Sequence, residues 1–286
     1  MPRISYLSLR TYAAGSMLAI LAAAAPGMAQ AQGKFEANYT ISLARIPIGS
    51  VTATAEFADA QYTMSMSGRA SGVMRVLASG DGSLTTRGVL RDGRPAPTEF
   101  VARTTTDDDT LDVKLAIEGG NVTQLSASEP KPDASRVQVT DAHRRGIVDP
   151  LTALLIPAGA DGDGLSDAAC QRTLAVFDGR RRFDLKLAFK RMDKVKAERG
   201  YAGPVVVCAV TFLPVAGHRT SSTMIKYLTE GRDIEMALAP VAGTRLLAPF
   251  RIAIANMLGN LVVQATRFET VAPSSVRANA TTGQAQ

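Results

Sequence analysis

The main regularity along the chain is a period of two. Val51, Ala53, Ala55 and Phe57 fall on one side of an extended segment, with Thr52, Thr54 and Glu56 on the other. The alternation returns in Tyr62, Met64 and Met66 against Thr63, Ser65 and Ser67, and in Leu111, Val113, Leu115 and Ile117 against Asp112 and Lys114. It returns again in Phe183, Leu185, Leu187 and Phe189 against Arg182, Asp184 and Lys186, and in Ile234, Met236 and Leu238 against Asp233 and Glu235. Successive side chains of a strand point to opposite faces, so these segments read as strands of an antiparallel sheet with one dry and one wet face. Between them stand Asp59-Ala60, Asp92-Gly93, Gly119-Gly120, Asp178-Gly179, Glu230-Gly231 and Gly259-Asn260. Several of these dipeptides readily take the positive φ of tight hairpins. The pattern predicts a meander of long hairpins.

Two segments break the alternation. Val205-Val206-Val207-Cys208-Ala209-Val210 and Leu261-Val262-Val263 are apolar on both sides. A strand covered on both faces lies inside something, which predicts a sheet curled around a core or a helix. Helical signals are few. Asp149-Pro150 is a good start, with an acid at the N-cap and Pro at the first helical position. Ile147, Leu151, Leu154 and Leu155 then share a side, and Pro157 ends the segment. A second short helix is expected over 71–78, stopped by Gly80. The expected fold is therefore mainly β: a curved antiparallel meander forming an open or half-closed β-barrel, with one or two short plug helices. A single domain is expected over 32–272, with a polar loop over 128–146, carrying Pro130 and Pro132, joining its two halves. The Ala, Ser, Thr and Gln of 273–286 predict a disordered tail.

The first residues do not belong to this pattern. Arg3 and Arg10 precede an apolar stretch from Ala13 to Ala25, Pro26-Gly27 breaks it, and Ala29-Gln30-Ala31 supplies small residues. A charged start, an apolar middle and a small-x-small end make residues 1–31 a signal peptide by expectation, and the location periplasmic. The apolar run is too short to span a bilayer, which takes about 20 residues. No other stretch is long and apolar enough, so no transmembrane segment is expected in the mature chain. Cleavage leaves 30 Lys and Arg against 26 acids, a net charge of +4. Asp178 to Arg199 is the basic part, with nine Lys and Arg against four acids, whereas Asp107-Asp108-Asp109 is an acidic knot. Export and the lack of any Trp for base stacking argue against a nucleic-acid partner. Cys170 and Cys208 are the two cysteines, and in an oxidising compartment an even pair is expected to bridge.

Motifs for catalysis are missing. The two histidines, His143 and His218, stand apart in loop-like surroundings, with no His-Glu-x-x-His and no Gly-x-Ser-x-Gly. Asp161-Gly162-Asp163-Gly164-Leu165-Ser166-Asp167 begins like a calcium loop, but an EF-hand needs an oxygen ligand at its fifth position and Gly at its sixth. Leu165 and Ser166 stand there, and no metal or cofactor is expected. Arg180-Arg181-Arg182, at the mouth of a hairpin, is a candidate contact for an anionic partner, and otherwise a solvated hairpin tip. Met64 and Met66, adaptable side chains on an apolar face, are candidate ligand contacts, and otherwise ordinary core.

Four segments stand in a distinctive order: Ile46-Pro47-Ile48-Gly49; Asp149-Pro150-Leu151-Thr152-Ala153-Leu154-Leu155; Cys170 followed by Phe177-Asp178-Gly179-Arg180-Arg181-Arg182-Phe183-Asp184; and Cys208 with Pro214-Val215-Ala216-Gly217. Over roughly Phe35 to Phe268, this order of features resembles an exported bacterial family, domain of unknown function 3108. The resemblance implies export and a β-rich fold, and it offers no agreed activity and no catalytic residues to carry over. The expected architecture is also similar to that of periplasmic lipoprotein carriers, though fold alone does not fix function. The expectation is a non-catalytic envelope protein that binds a lipid or acyl chain in a concave sheet, its partner an envelope lipid, lipoprotein or envelope protein. The alternative is an interaction or assembly module without a cavity, and a hydrolase with an unrecognised site comes third.

Overall fold

The computed structural model describes residues 33–71, 80–106, 110–128, 133–159, 165–229, 233–255 and 259–271. The expected leader, the helix over 71–78 beyond Ser71, the Asp107–Asp109 knot, the Asp161–Gly164 turn, Glu230-Gly231 and the tail from 273 lie outside them.

The first seven strands are β1 (Gly33–Leu43), β2 (Ile46–Ala58), β3 (Gln61–Ala70), β4 (Gly80–Arg91), β5 (Arg94–Thr106), β6 (Thr110–Glu118) and β7 (Asn121–Ala127). Each pairs antiparallel with the next. Four of the connections are two residues long. Asp92-Gly93 and Gly119-Gly120 have positive φ at both positions, as the tight hairpin requires. Asp59-Ala60 and Ala44-Arg45 do the same without glycine, at φ of 50° and 60° and of 49° and 69°. The long strands on either side impose that conformation on residues that rarely choose it.

The second half comprises β8 (Ile156–Pro157), β9 (Arg172–Phe177), β10 (Arg182–Lys196), β11 (Arg199–Gly200), β12 (Ala202–Ala216), a helix α1 (Thr223–Thr229), β13 (Ile234–Val241), β14 (Leu246–Ile254) and β15 (Leu261–Val271). β9, β10, β12, β13, β14 and β15 form a second antiparallel meander, and β15 pairs with β1 to join the halves. The result is one large sheet that begins at β7, ends at β9 and does not close.

The sheet curls so that its concave face is filled. Phe35, Phe57, Tyr62, Met64, Phe100, Leu115, Phe250 and Phe268 from the sheet meet Ile147, Leu151 and Leu155 there, all buried in one cluster. The apolar side predicted at Ile147, Leu151 and Leu155 is the side that packs. The α-helix predicted over this stretch is instead a 3-10 turn, Thr152–Leu154, followed directly by β8. The reason is local competition: Ile156 and Pro157 pair with Leu247 and Leu246, which draws the chain out before a second turn can form.

Of the two segments apolar on both sides, the one in β12 is covered on both sides, whereas Leu261, Val262 and Val263 of β15 are only half-buried. Val205 and Val207 belong to the concave core, whereas Val206 and Cys208 belong to a smaller cluster on the opposite face. Ala237 and Ala239 face the core while Met236 and Leu238 face the smaller cluster, which also holds Ile156, Ala169 and Cys170. The sheet's second half is thus covered outside by its own chain, and the Cys170–Cys208 disulfide ties that cover to β12 across Cα atoms 5.4 Å apart.

One register prediction fails in part. Of Phe183, Leu185, Leu187 and Phe189, only Leu187 is buried, and Phe189 is 44% exposed. Pairing with β9 stops at Leu187↔Arg172, so beyond that point β10 outruns its neighbour and the cluster beneath it. Arg182 and Asp184, expected to point to water, are half-buried and paired with each other.

Candidate functional site

The gap between the edge strands is crossed by side chains and loops. The Ile147 N–H donates to the Gly120 carbonyl at the β6–β7 turn. Val148 then takes up the edge of β9, donating to Ala175 and accepting from the Phe177 N–H. On the other side of the seam, the Arg180 guanidinium donates to the carbonyl and hydroxyl of Ser128, just after β7. Gly179, at φ 94°, lies so close to Val113 that an added Cβ would come within 2.3 Å of its side chain.

A buried polar network pins the plug inside the curled sheet. The Asp149 carboxyl accepts from the Leu151 and Thr152 N–H groups at 2.9 and 3.0 Å, so the predicted capping role is real. Its other oxygen lies 2.9 Å from the Thr86 hydroxyl and 2.5 Å from that of Thr152. Tyr62 reaches Thr152 at 2.7 Å, and Thr86 reaches the Glu99 carbonyl at 3.0 Å. Burial pushes the Asp149 carboxyl above the ordinary carboxylate range, against the pull of these hydrogen bonds.

A mostly apolar space lies beside this plug, between the β4–β5 hairpin, the β10–β12 pair and α1. It is a cleft of about 370 Å³. Leu84 and Phe100 form one wall, Phe183 and Phe212 another, and Ile225 and Leu228 of α1 a third. The Phe183 and Phe212 rings sit 5.3 Å apart. Arg181, Arg182, Asp178 and His218 also line it, and His218 Nδ1 is buried without a hydrogen-bond partner. The arrangement offers greasy walls with cationic and imidazole groups among them. Among the described residues no group of His, Cys, Asp or Glu is placed to hold a metal, and no helix is long and apolar enough to cross a membrane.

The arginine triplet is divided by its surroundings. Arg180 is the seam latch; Arg181 pairs with Asp178 at 2.9 Å; Arg182 pairs with Asp184 and donates to the Phe183 carbonyl. Only Arg181 and Arg182 line the cleft. Met64, 2% exposed, is packed in the concave core, and Met66 is packed partly against it. Neither lines the cleft, although Met66 is paired with Leu84, which does. Sequence reasoning missed α1 altogether: Thr223–Thr229 is too short to show a helical period, and only Ile225 and Leu228, three apart, hint at it.

A solved structure described as a β-barrel-like protein of domain of unknown function DUF1849 from Brucella abortus aligns with 85% of this chain and 99% of its own, at 13% identity and a TM-score of 0.49. No curated protein matches the sequence. The family described as "Protein of unknown function (DUF3108)" matches residues 38–266, which runs from within β1 to within β15 and takes in the plug and the disulfide. The chain belongs to the DUF3108 family.

Proposed function

We propose that this protein is an exported, non-catalytic binding protein of the cell envelope that holds the acyl chain of an anionic amphiphile in the cleft beside α1. The observation that carries the reading is the cleft itself, whose aromatic and aliphatic walls have Arg181, Arg182 and His218 beside them. Its volume of about 370 Å³ is in the range of small-molecule sites. Each methylene buried there would contribute about 0.8 kcal/mol, so a chain can be held without a polar motif. The concave face of the sheet, the binding face expected from the sequence, is filled by its own side chains. The leader at 1–31 and the disulfide both support an oxidising compartment, hence the periplasm.

The test is titration of the mature protein with an environment-sensitive fluorescent fatty acid, beside native mass spectrometry of protein purified from its own periplasm. Saturable binding is expected, with Ile225→Glu weakening it at least tenfold while the far-ultraviolet circular dichroism is unchanged. Binding that ignores Ile225→Glu, or that appears only after denaturation, would refute the cleft as the site.

A further inference from the structure

The two ends of the sheet are treated differently. The β9 edge is occupied by Val148, which exchanges backbone hydrogen bonds with Ala175 and Phe177. Among the described residues β7 pairs with β6 alone. Its sequence, NVTQLSA, has no Lys, Arg or Pro, the residues that usually blunt an edge against further pairing. A groove of about 570 Å³ runs beside its second half, and a hollow of about 220 Å³ beside Asn121 to Leu125.

The far wall of both spaces is the stretch 133–145. Its backbone is already engaged elsewhere: the Val137 N–H donates to His218, the Val137 carbonyl accepts from Gly217, and the Ser135 carbonyl accepts from Thr220. So it lies opposite β7 without completing a ladder. The walls between are apolar, with Leu125 and Ala127 on one side and Val137 and Val139 on the other. Arg136, Arg144 and Arg180 line the larger space, and Arg144 and Arg145 the smaller. The acids there are Asp133, engaged by Arg219 at 2.5 Å, and Asp141, 3.3 Å from Arg144. The Nε atoms of Arg136 and Arg144 are buried with no partner.

We propose that the β7 edge is a docking site for an extended acidic peptide segment of another envelope protein, which adds as a strand beside β7. Backbone pairing with an exposed edge supplies affinity, and alternate side chains select the partner. Here alternate positions would meet the Leu125–Val137 walls, and carboxylates between them would meet Arg136, Arg144 and Arg145. The partner's place in the envelope rests on the proposed export, but no residue lines both this groove and the acyl cleft, so the two sites are tested separately.

The experiment is selection of a random ten-residue peptide library on the folded mature protein. Enriched peptides are expected to alternate apolar residues with Asp or Glu, and to crosslink to residues 121–128 when they carry a photoreactive group. Arg144→Glu should weaken the best peptide at least tenfold with no loss of thermal stability. N-methylation of alternate peptide amides should abolish binding, a readout that leaves the protein untouched. Enrichment of no peptide, crosslinks away from β7, or equal binding of the N-methylated peptide would overturn the proposal. So would dextran sulfate binding as tightly as the peptide, which would mark a charge patch for polyanions.

Discussion

Asp149 carries the sharpest single-residue consequences. Its carboxyl is fully buried, with threonine hydroxyls and backbone N–H groups around it and no cation among its partners. An acid whose folded-state pKa is raised favours the native state most below its ordinary unfolded value of 3.8, and loses that contribution as pH rises toward the raised value. Chemical denaturation across pH should therefore show the native protein losing stability, relative to Asp149→Asn, as pH climbs from about 3.8. The amide keeps the acceptor for Leu151 and Thr152, so at pH 4 Asp149→Asn should lie within about 1 kcal/mol of the native protein. Asp149→Ala strands several buried donors at once and should cost about 3 kcal/mol or more at any pH. Glu235 has the opposite sign. Arg191 and Lys190 hold its carboxyl down to about 2, from an ordinary value of 4.5. The stability it supplies is present above 4.5 and is lost as pH falls toward 2, so Glu235→Gln should flatten the acid limb of a stability profile.

At the scale of elements, the disulfide decides how the outer cover of β12 and β13 is held. Cys170 ends a 3-10 turn, Asp167–Cys170, whose Ala169 and Cys170 pack with Ile156 and Leu238 on the face away from the main core. The bridge closes a loop with a sequence separation of 38. Opening such a loop costs about 4 kcal/mol on the chain-entropy model. Cys170→Ser and Cys208→Ser should each lower unfolding free energy by roughly 2–5 kcal/mol, and the double variant by no more than either alone. Denaturant titration with and without reductant checks this, since reductant should bring the native protein to the level of the variants. The pairing was legible because a chain with two cysteines allows one internal bridge. The cover it anchors was not, because Ala169, Ile156 and Leu238 belong to three separated stretches of chain whose contact no local pattern encodes. Phe189 shows the same limit from the other side: its alternation with Lys186 and Ala188 is a strand pattern, but its burial depends on where the neighbouring strand stops.

Over the whole molecule, the curl is held at the seam between β7 and β9. Gly179→Ala places a side chain at φ 94° and against Val113, two separate penalties. It should cost about 1–3 kcal/mol, and pairing it with Val113→Ala should recover the packing part but leave the backbone part. Arg180→Ala removes the latch on Ser128 and should leave the two meanders less protected at their facing edges. Hydrogen exchange should then speed up at β7 and β9 before it changes at β1 and β15, whose pairing joins the halves. Uniform exchange change across the sheet would place the weak point elsewhere.

The sequence by itself determined the strands, most hairpin turns, the buried side of the plug and the disulfide, because each depends on spacing within a few residues or on there being only two cysteines. Tertiary structure alone decided what those elements surround. Arg180 meets Ser128 at a separation of 52 residues, Asp149 meets Thr86 at 63, and Tyr39 meets the Pro249 carbonyl at 210. The same holds for the cleft, whose walls come from five elements that share no repeat. A period of two assigns a side chain to a face of its strand, but the curl of the sheet decides whether that face meets core, a second cover or water.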